Sequence, residues 1–502
     1  MKDMDVNAEL PEGKLFLAGE WRDGRGAEIT SIFPADGRVN RVFRGASAAD
    51  GEEAIAKAKA AQADPAWRAL KPHERARLLY RIADGIEANA ERISRIQSRD
   101  TGKTLAETGA LAASAAGTFR YFGAVLETMD EELTTRRGPA MTLSVYEPMG
   151  VVAAITPWNS PIASDAQKVA PALAAGNAVI LKPASWSPLT ALELARIVDA
   201  AGCPKGLFSV LPGSGREIGN LLVEHPDIAR VSFTGGTETG RALAVKAAQK
   251  LMPVSLELGG KSPTIVFADA DMDTAIAGVL YGIFSSTGQS CIAGSRLFVE
   301  RSIFDSFVSR LVAATERLVV GHPFDPATQV APLIHMDHRD EVAAHVAQAL
   351  ADGAELLTGG RAPEGPEYDG GSYYLPTILS SLPNTARLCR EEVFGPVLAV
   401  LPFDDEADVI AQSNDNDYGL ACGIWTRDFP RAWRVGQAIQ AGTVWHNTYK
   451  QFSVSTPFGG DGASGIGREK GRQGLRAYMR QKGFYTDLTG APIPWAGAAV
   501  TP

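Results

Sequence analysis

From residue 149 onward, short apolar runs alternate with stretches of helical spacing, and this alternation limits the fold more than any other feature. The runs cover residues 150–155, 178–181, 207–211, 231–233 and 264–267, with helical stretches such as 162–175 and 191–200 between most of them. Strands that are apolar throughout, separated by helices, predict a parallel sheet covered on both faces. A second series follows Cys291: a strand at 297–299, helices at 304–319 and 341–351, then strands at 396–402 and 423–426. It predicts a second α/β unit. Before both, residues 51–130 read as helices, with Ala54, Ala58 and Ala61 on one face and Leu78, Leu79, Ile82 and Ile86 on another. Residues 133–146, with Thr134, Thr135, Arg136 and Arg137, read as an extended excursion.

A chain of 502 residues has room for about three such units. Its formal charge is −9 and its pI is near 5.5, which excludes a non-specific nucleic-acid binder. An anionic ligand remains open, because backbone N–H groups can hold a phosphate locally. No apolar run reaches the ~18 residues that would span a membrane, and the start MKDMDVNAELPEGK has no signal-peptide core. The four cysteines, Cys203, Cys291, Cys389 and Cys422, form no CxxC pair. Together these predict a cytoplasmic protein with reduced thiols and no membrane partner.

Two glycine turns compete as phosphate sites. Gly213-Ser-Gly215 with Gly219, and Gly235-Gly236-Thr-Glu-Thr-Gly240, each follow an apolar run and precede a helix. Neither is a strict GxGxxG, and each also fits a plain strand–turn–helix joint. Lys103 and Lys261 follow glycines, but Gln97 and Ser255 stand where a P-loop needs its first Gly. Cys291 lies among small polar residues, Ser285-Ser-Thr-Gly-Gln-Ser-Cys291-Ile-Ala-Gly, where a thiol can meet a substrate. Glu257 sits between two leucines before Gly259-Gly260, where burial would raise its pKa and make it a base. Taken alone, Cys291 also fits a small buried hydrophobe, and Glu257 the solvated side of a strand.

The motifs in order decide between these readings. They are Thr156-Pro-Trp-Asn-Ser-Pro161, Leu181-Lys-Pro-Ala184, Phe233-Thr-Gly-Gly-Thr-Glu-Thr-Gly240, Leu256-Glu-Leu-Gly-Gly260, Gly288-Gln-Ser-Cys291, Glu391-Glu-Val-Phe-Gly-Pro396, Asn447 and Pro457-Phe-Gly-Gly460. In this series the chain resembles the aldehyde dehydrogenase superfamily over nearly its whole length. The resemblance implies an α/β fold with a Rossmann-like cofactor domain (1–129 and 149–258), an α/β catalytic domain (259–460) and a small β oligomerisation ribbon (130–148 and 475–488). It implies a homodimer or homotetramer.

It also implies the chemistry. Cys291 matches the nucleophile that attacks the aldehyde carbonyl. The Asn159 side chain and the Cys291 N–H match the oxyanion site. Loss of hydride to the nicotinamide leaves a thioester, and Glu257 matches the base that activates water to hydrolyse it. NAD or NADP is the implied cofactor. Gly235, Gly236 and Gly240 match the pyrophosphate turn, which leaves Gly213 and Gly215 as a structural joint. Ile155, Pro157, Trp158 and Leu258 line the cofactor cleft, Lys182 and Ser185 lie by the adenosine ribose, and Glu392 with Phe394 lies by the nicotinamide ribose.

The chain departs from the family pattern in three places. Lys182-Pro-Ala-Ser185 has Ser where many NAD-preferring members carry Glu. That removes a carboxylate that would repel a 2′-phosphate, and it predicts that NADP is accepted and is a candidate for preference. Phe458-Gly-Gly-Asp-Gly462 replaces the usual Phe-Gly-Gly-Tyr-Lys. Ser160 and Gln167 replace tunnel aromatics, and Gln167 also stands where short acidic semialdehyde oxidisers have Arg. These changes weaken both a betaine-aldehyde and a short acidic-semialdehyde substrate. Tyr449, Phe452 and Phe458 remain as an aromatic wall, which predicts a medium-sized or aromatic aldehyde, with Lys450 or Asp165 open to a charged tail. A CoA-acylating relative and a catalytically silent relative are the alternatives; Glu257 counts against the first, and intact Cys291, Glu257 and Asn159 against the second. His335, His338 and His345 read as surface residues, so no metal is expected.

Overall fold

The computed structural model describes residues 9–135, 138–491 and 495. Arg136 and Arg137 of the extended excursion lie outside them. The first sheet has eight strands, and five form a parallel block: Phe208–Val210, Ala178–Lys182, Val151–Ile155, Ile228–Thr234 and Val254–Glu257, in that spatial order. Val151–Ile155 and Ala178–Lys182 are buried at every position, as their unbroken apolar runs require. The helices Pro72–Ala88, Leu105–Glu127 and Pro161–Ala174 pack together against this block in one continuous apolar core.

Leu15–Leu17 and Glu20–Arg22 extend the sheet at one side and pair antiparallel, as does Leu15–Leu17 with Phe208–Val210. Three residues each are too few to show a period, so the sequence reading passed over them. At the other side Gly465–Ile466 pairs antiparallel with Val254–Glu257. The chain beyond residue 460 therefore returns to the first sheet and covers the end of the strand that carries Glu257.

The second sheet has seven strands, in the order Glu355–Thr358, Thr377–Ser380, Val397–Phe403, Arg296–Glu300, Pro263–Val266, Ala421–Trp425 and Thr443–His446. All neighbours are parallel except the first pair. A third sheet joins Met479–Asp487 to Ala140–Pro148 and Ala140–Pro148 to Glu132–Leu133, both antiparallel. No described helix is long and apolar enough to cross a membrane.

Candidate functional site

In the first sheet the chain runs from Val151–Ile155 outward in one direction, then returns to the opposite flank of that strand at Ile228–Thr234. Strand order reverses there, and a parallel sheet opens a ligand crevice at the carboxyl ends flanking such a point. Thr156 to Ser160 follow one strand end, and Gly235 and Gly236 follow the other. The helix Thr237–Gln249 starts at Gly236 with no side-chain cap, so its first N–H groups face the crevice unclaimed by a side chain. A Cβ on Gly236 would meet nothing within 4 Å, whereas a Cβ on Gly240 would lie 2.3 Å from the Leu258 side chain. One glycine leaves room for a ligand, and the other lets the helix approach Leu258.

Lys182 ends the neighbouring strand, buried, with Nζ donating to the Pro183 carbonyl at 3.0 Å. Burial pushes its pKa down to about 8. Ser185 Oγ donates to the Gly213 carbonyl at 3.2 Å, and both residues line a cavity of about 240 Å³ with Ser214 and Glu217. The Gly213 turn, expected to be only a joint, thus lines this cavity. Glu217 accepts from the Ala48 N–H at 2.8 Å. Trp158 stacks edge-on with Phe394 at 5.2 Å, and Phe394 holds a left-handed backbone at φ 55°. Glu392 accepts from the Gly260 N–H at 3.0 Å, and burial pushes it up to about 7. An open helix N-terminus at the strand-order reversal, a lysine at the next strand end and the open space beside Gly236 together fit a dinucleotide.

Cys291 is delivered by an unusual turn. After the helix Met272–Phe284, Ser286 and Thr287 take φ of 57° and 56°, and Gly288 takes 70°. A Cβ on Gly288 would stand 2.0 Å from the Gly395 carbonyl oxygen, so only glycine fits. Hydrogen bonds to distant segments hold the turn. Glu107 accepts from the Ser286 N–H at 2.5 Å, Thr287 Oγ1 donates to the Ala331 carbonyl at 2.8 Å, and Gln289 Oε1 accepts from the Ile334 N–H at 2.8 Å. Asn159 Nδ2 donates to the Gln289 carbonyl at 2.9 Å, which ties it to the same loop.

Glu257 sits 4% exposed, and neither carboxylate oxygen has a hydrogen-bond partner among the described residues. Burial, then the nearby Glu469 carboxylate, holds its pKa well above the usual carboxylate range. Glu469 is itself engaged: it accepts from Lys168 Nζ at 2.5 Å, Ser232 Oγ at 2.9 Å and Gln167 Nε2 at 2.5 Å. Burial, with Glu392 and Glu257 nearby, pushes the Cys291 thiol up to about 12. Burial thus disfavours the charged forms of both groups, which stand close enough to influence each other.

Cys291, Glu257, Asn159, Ser160, Gln167, Phe452 and Phe458 all line one cavity of about 310 Å³. Tyr449 does not. Its ring fills a slot floored by Gly282, Gly294 and Gly423 and stacks on Trp445 at 4.9 Å, so it is a core residue behind the wall. Asp165 is fully buried away from that cavity, with its pKa pushed up to about 7 by burial, and cannot meet a substrate tail. His338 is buried rather than superficial: its Nε2 lies 2.9 Å from the Phe394 carbonyl and its ring stacks edge-on to Trp158. Asp461, the departure at the Phe458 loop, accepts from Arg468 at 2.9 and 3.0 Å. Sequence reasoning missed Lys103, Glu107, Glu469 and Lys470 on the cavity wall and Lys168 behind it. Motif spacing carries no signal for them, since Lys168 and Glu469 stand 301 residues apart.

The sequence model of the Aldehyde dehydrogenase family matches residues 21–484. The chain belongs to the aldehyde dehydrogenase family. Among similar proteins, the betaine aldehyde dehydrogenase of Mesorhizobium japonicum is 44% identical over 487 residues, 97% of this chain and 99% of that one. The betaine aldehyde dehydrogenase of Staphylococcus aureus in complex with NAD+ is 34% identical with a TM-score of 0.95, covering 98% of each chain. PnpE of Pseudomonas sp. WBC-3, in complex with nicotinamide adenine dinucleotide, is 37% identical with a TM-score of 0.94, covering 97% of this chain and 99% of that one. As a member of this family, the aldehyde dehydrogenase oxidises an aldehyde to a carboxylic acid with NAD(P)+.

Proposed function

We propose that Cys291 is the nucleophile, Glu257 the general base and Asn159 an oxyanion donor of a hydrolytic, NAD(P)-dependent aldehyde oxidation. The convergence of these three side chains on one cavity, from three separate segments, carries this reading. Glu257 takes the Cys291 proton, directly or through water. The thiolate sulfur bonds to the carbonyl carbon, and the carbonyl π electrons move to oxygen, where Asn159 Nδ2 and the Cys291 N–H stabilise the charge. Bound NAD(P)+ supplies the two-electron acceptor that leaves a thioester on Cys291. Glu257 then takes a proton from water, the hydroxide oxygen bonds to the acyl carbon, and the C–S bond breaks to return the thiolate and release the acid.

Gly235, Gly236, Gly240, Lys182, Ser185, Trp158, Glu392 and Phe394 hold the coenzyme in this reading, with Ile155, Pro157 and Leu258 behind them. The tunnel walls, aromatic at Phe452 and Phe458 and polar at Ser160 and Gln167, suit a medium-sized or aromatic aldehyde. The two large sheets act as cofactor and catalytic domains, the third as an oligomerisation ribbon of a cytoplasmic homodimer or homotetramer. Absorbance in the NAD(P)H band over a set of aldehydes tests the assignment. Cys291→Ala abolishes the signal, and oxidation that survives the substitution overturns it. Transfer to CoA instead of water would appear as faster turnover on adding CoA.

A further inference from the structure

The wall of the 310 Å³ cavity carries three lysines that the oxidation chemistry does not use: Lys103, Lys450 and Lys470. Among the described residues none of the three makes an ion pair, although Lys168, just behind the wall, does. Lys470 Nζ lies 4.1 Å from the centre of the Phe452 ring and 5.2 Å from that of Phe458. An ammonium group of the chain itself thus sits on the aromatic surface that a cationic substrate would need. Glu469 and Glu257 are the carboxylates that face Lys470, so its charge answers the catalytic carboxylate.

The other two lysines lie on the side of Glu107. Lys450 Nζ donates to Ser285 Oγ at 2.7 Å and lies 5.8 Å from the Tyr281 ring centre. Its charged neighbours are Lys103, Glu107 and Cys291. Glu107 spends its oxygens on Ser286 and on Thr104, whose N–H and Oγ1 donate at 3.2 and 3.1 Å. With both lysines protonated, two ammonium groups against one engaged carboxylate leave one positive charge for a bound anion to compensate. That matches a monoanion such as a carboxylate better than a phosphate dianion. Desolvation, reinforced by Lys103, pushes Lys450 down to about 7, the response of an ammonium that lacks a counter-ion.

We propose that this cavity selects aldehydes bearing a carboxylate remote from the carbonyl, received by Lys103 and Lys450, and disfavours quaternary-ammonium aldehydes because Lys470 occupies the aromatic wall. The cation absent at Gln167 is supplied by Lys103 and Lys450. The proposal rests on the reading of this cavity as the aldehyde site.

Three para-substituted benzaldehydes of similar size test it: 4-formylbenzoate, its methyl ester and 4-formyl-N,N,N-trimethylanilinium. The carboxylate is the weakest electron-withdrawing group of the three, so ring electronics alone would rank it last. The expected kcat/KM of the anion exceeds that of the ester at least tenfold, and the cation falls below the ester. Lys450→Met and Lys103→Met each lower the anion-to-ester ratio at least fivefold, chiefly through KM for the anion. The ratio is internal to each protein, so a partial folding defect leaves it unmoved. An anion no better than the ester, or a ratio that neither variant shifts, overturns the proposal while the aldehyde reading stands. If none of the three is oxidised, both fall. Calorimetry gives a readout without turnover: at pH 8, terephthalate takes up a proton on binding, seen as heats that differ between buffers of different ionisation enthalpy, and its uncharged dimethyl ester does not. Terephthalate binding without proton uptake, or no tighter than the dimethyl ester, also overturns it.

Discussion

Burial raises the pKa of both Cys291 and Glu257, and this sets the pH dependence of turnover. Burial places the thiol at about 12 and Glu257 well above the ordinary carboxylate range. At pH 8 about one thiol in 10⁴ is ionised in the resting site. The reactive forms of both groups are those lost as pH falls, so kcat/KM rises with pH from 6 to 9, and a profile that falls over that range contradicts the assignment. Glu257→Gln lowers turnover by about 10²–10⁴-fold, the usual worth of a general base, and stopped-flow absorbance retains any first burst of NAD(P)H when deacylation is the step lost. Asp165 gives a stability prediction of the opposite kind to a salt-bridged carboxylate. Its folded pKa of about 7 lies above its ordinary 3.8, so the folded chain holds a proton that the unfolded chain releases. Stability therefore drains away as pH rises from about 4 to 7 and stays lowered above that. Asp165→Asn, which keeps the shape and removes the charge, raises the thermal midpoint more at pH 8 than at pH 5; an equal shift at both pH values contradicts the burial argument.

At the scale of elements, function sits at strand ends, and those were legible in unequal measure. Continuous apolar runs announced the parallel strands, because burial on both faces leaves no polar alternation to confuse them. The observed helix Pro161–Ala174 and strand Ala421–Trp425 lie within two residues of the stretches expected. The edge pair Leu15–Leu17 and Glu20–Arg22 and the two-residue strand Gly465–Ile466 left no period to read, yet the last covers Glu257. The place of Tyr449 is not legible in sequence because the glycines that open its slot, Gly282, Gly294 and Gly423, meet only in the fold. Glu469 and the cavity lysines were silent for the same reason: only the fold brings them to the wall. The end of the strand Ala178–Lys182 carries the coenzyme prediction. Ser185 contributes no charge beside Lys182, and of the two carboxylates that line that cavity, Glu28 and Glu217, the second is engaged by the Ala48 N–H. With no carboxylate at position 185 to repel a 2′-phosphate, NADP is predicted to be accepted. An NADP efficiency below about a hundredth of that with NAD, a gap of about 2.7 kcal/mol, contradicts this. The helix Thr237–Gln249 carries a second: Gly240→Val drives a side chain into Leu258, shifts the helix start and weakens coenzyme binding at least tenfold by fluorescence titration, while Gly240→Ala costs less.

At the scale of the molecule, the three-stranded sheet is the feature that a lone chain does not explain. Met479–Asp487 is nine residues long and, among the described residues, pairs on one side only, with Ala140–Pro148. Its other edge offers a row of N–H and C=O groups, which is the template for adding another strand. The same sheet and its end expose Leu133 at 66%, Phe484 at 53%, Tyr485 at 76% and Leu488 at 54%. Elsewhere Thr443–His446 forms a free parallel edge of the seven-stranded sheet, and Phe429 and Trp433 stand exposed on a nearby helix. Large apolar groups beside open edges on two sheets are expensive in water and economical between copies of one chain. Sedimentation should therefore give about two or four times 53.2 kDa. The double substitution Phe484→Asp and Tyr485→Asp places two carboxylates on the ribbon without touching the cavity, and it moves the sedimentation boundary towards the single chain. A wild-type chain that sediments alone at micromolar concentration, or a double variant that assembles as before, removes the ribbon from the interface and leaves its exposed aromatics to another role.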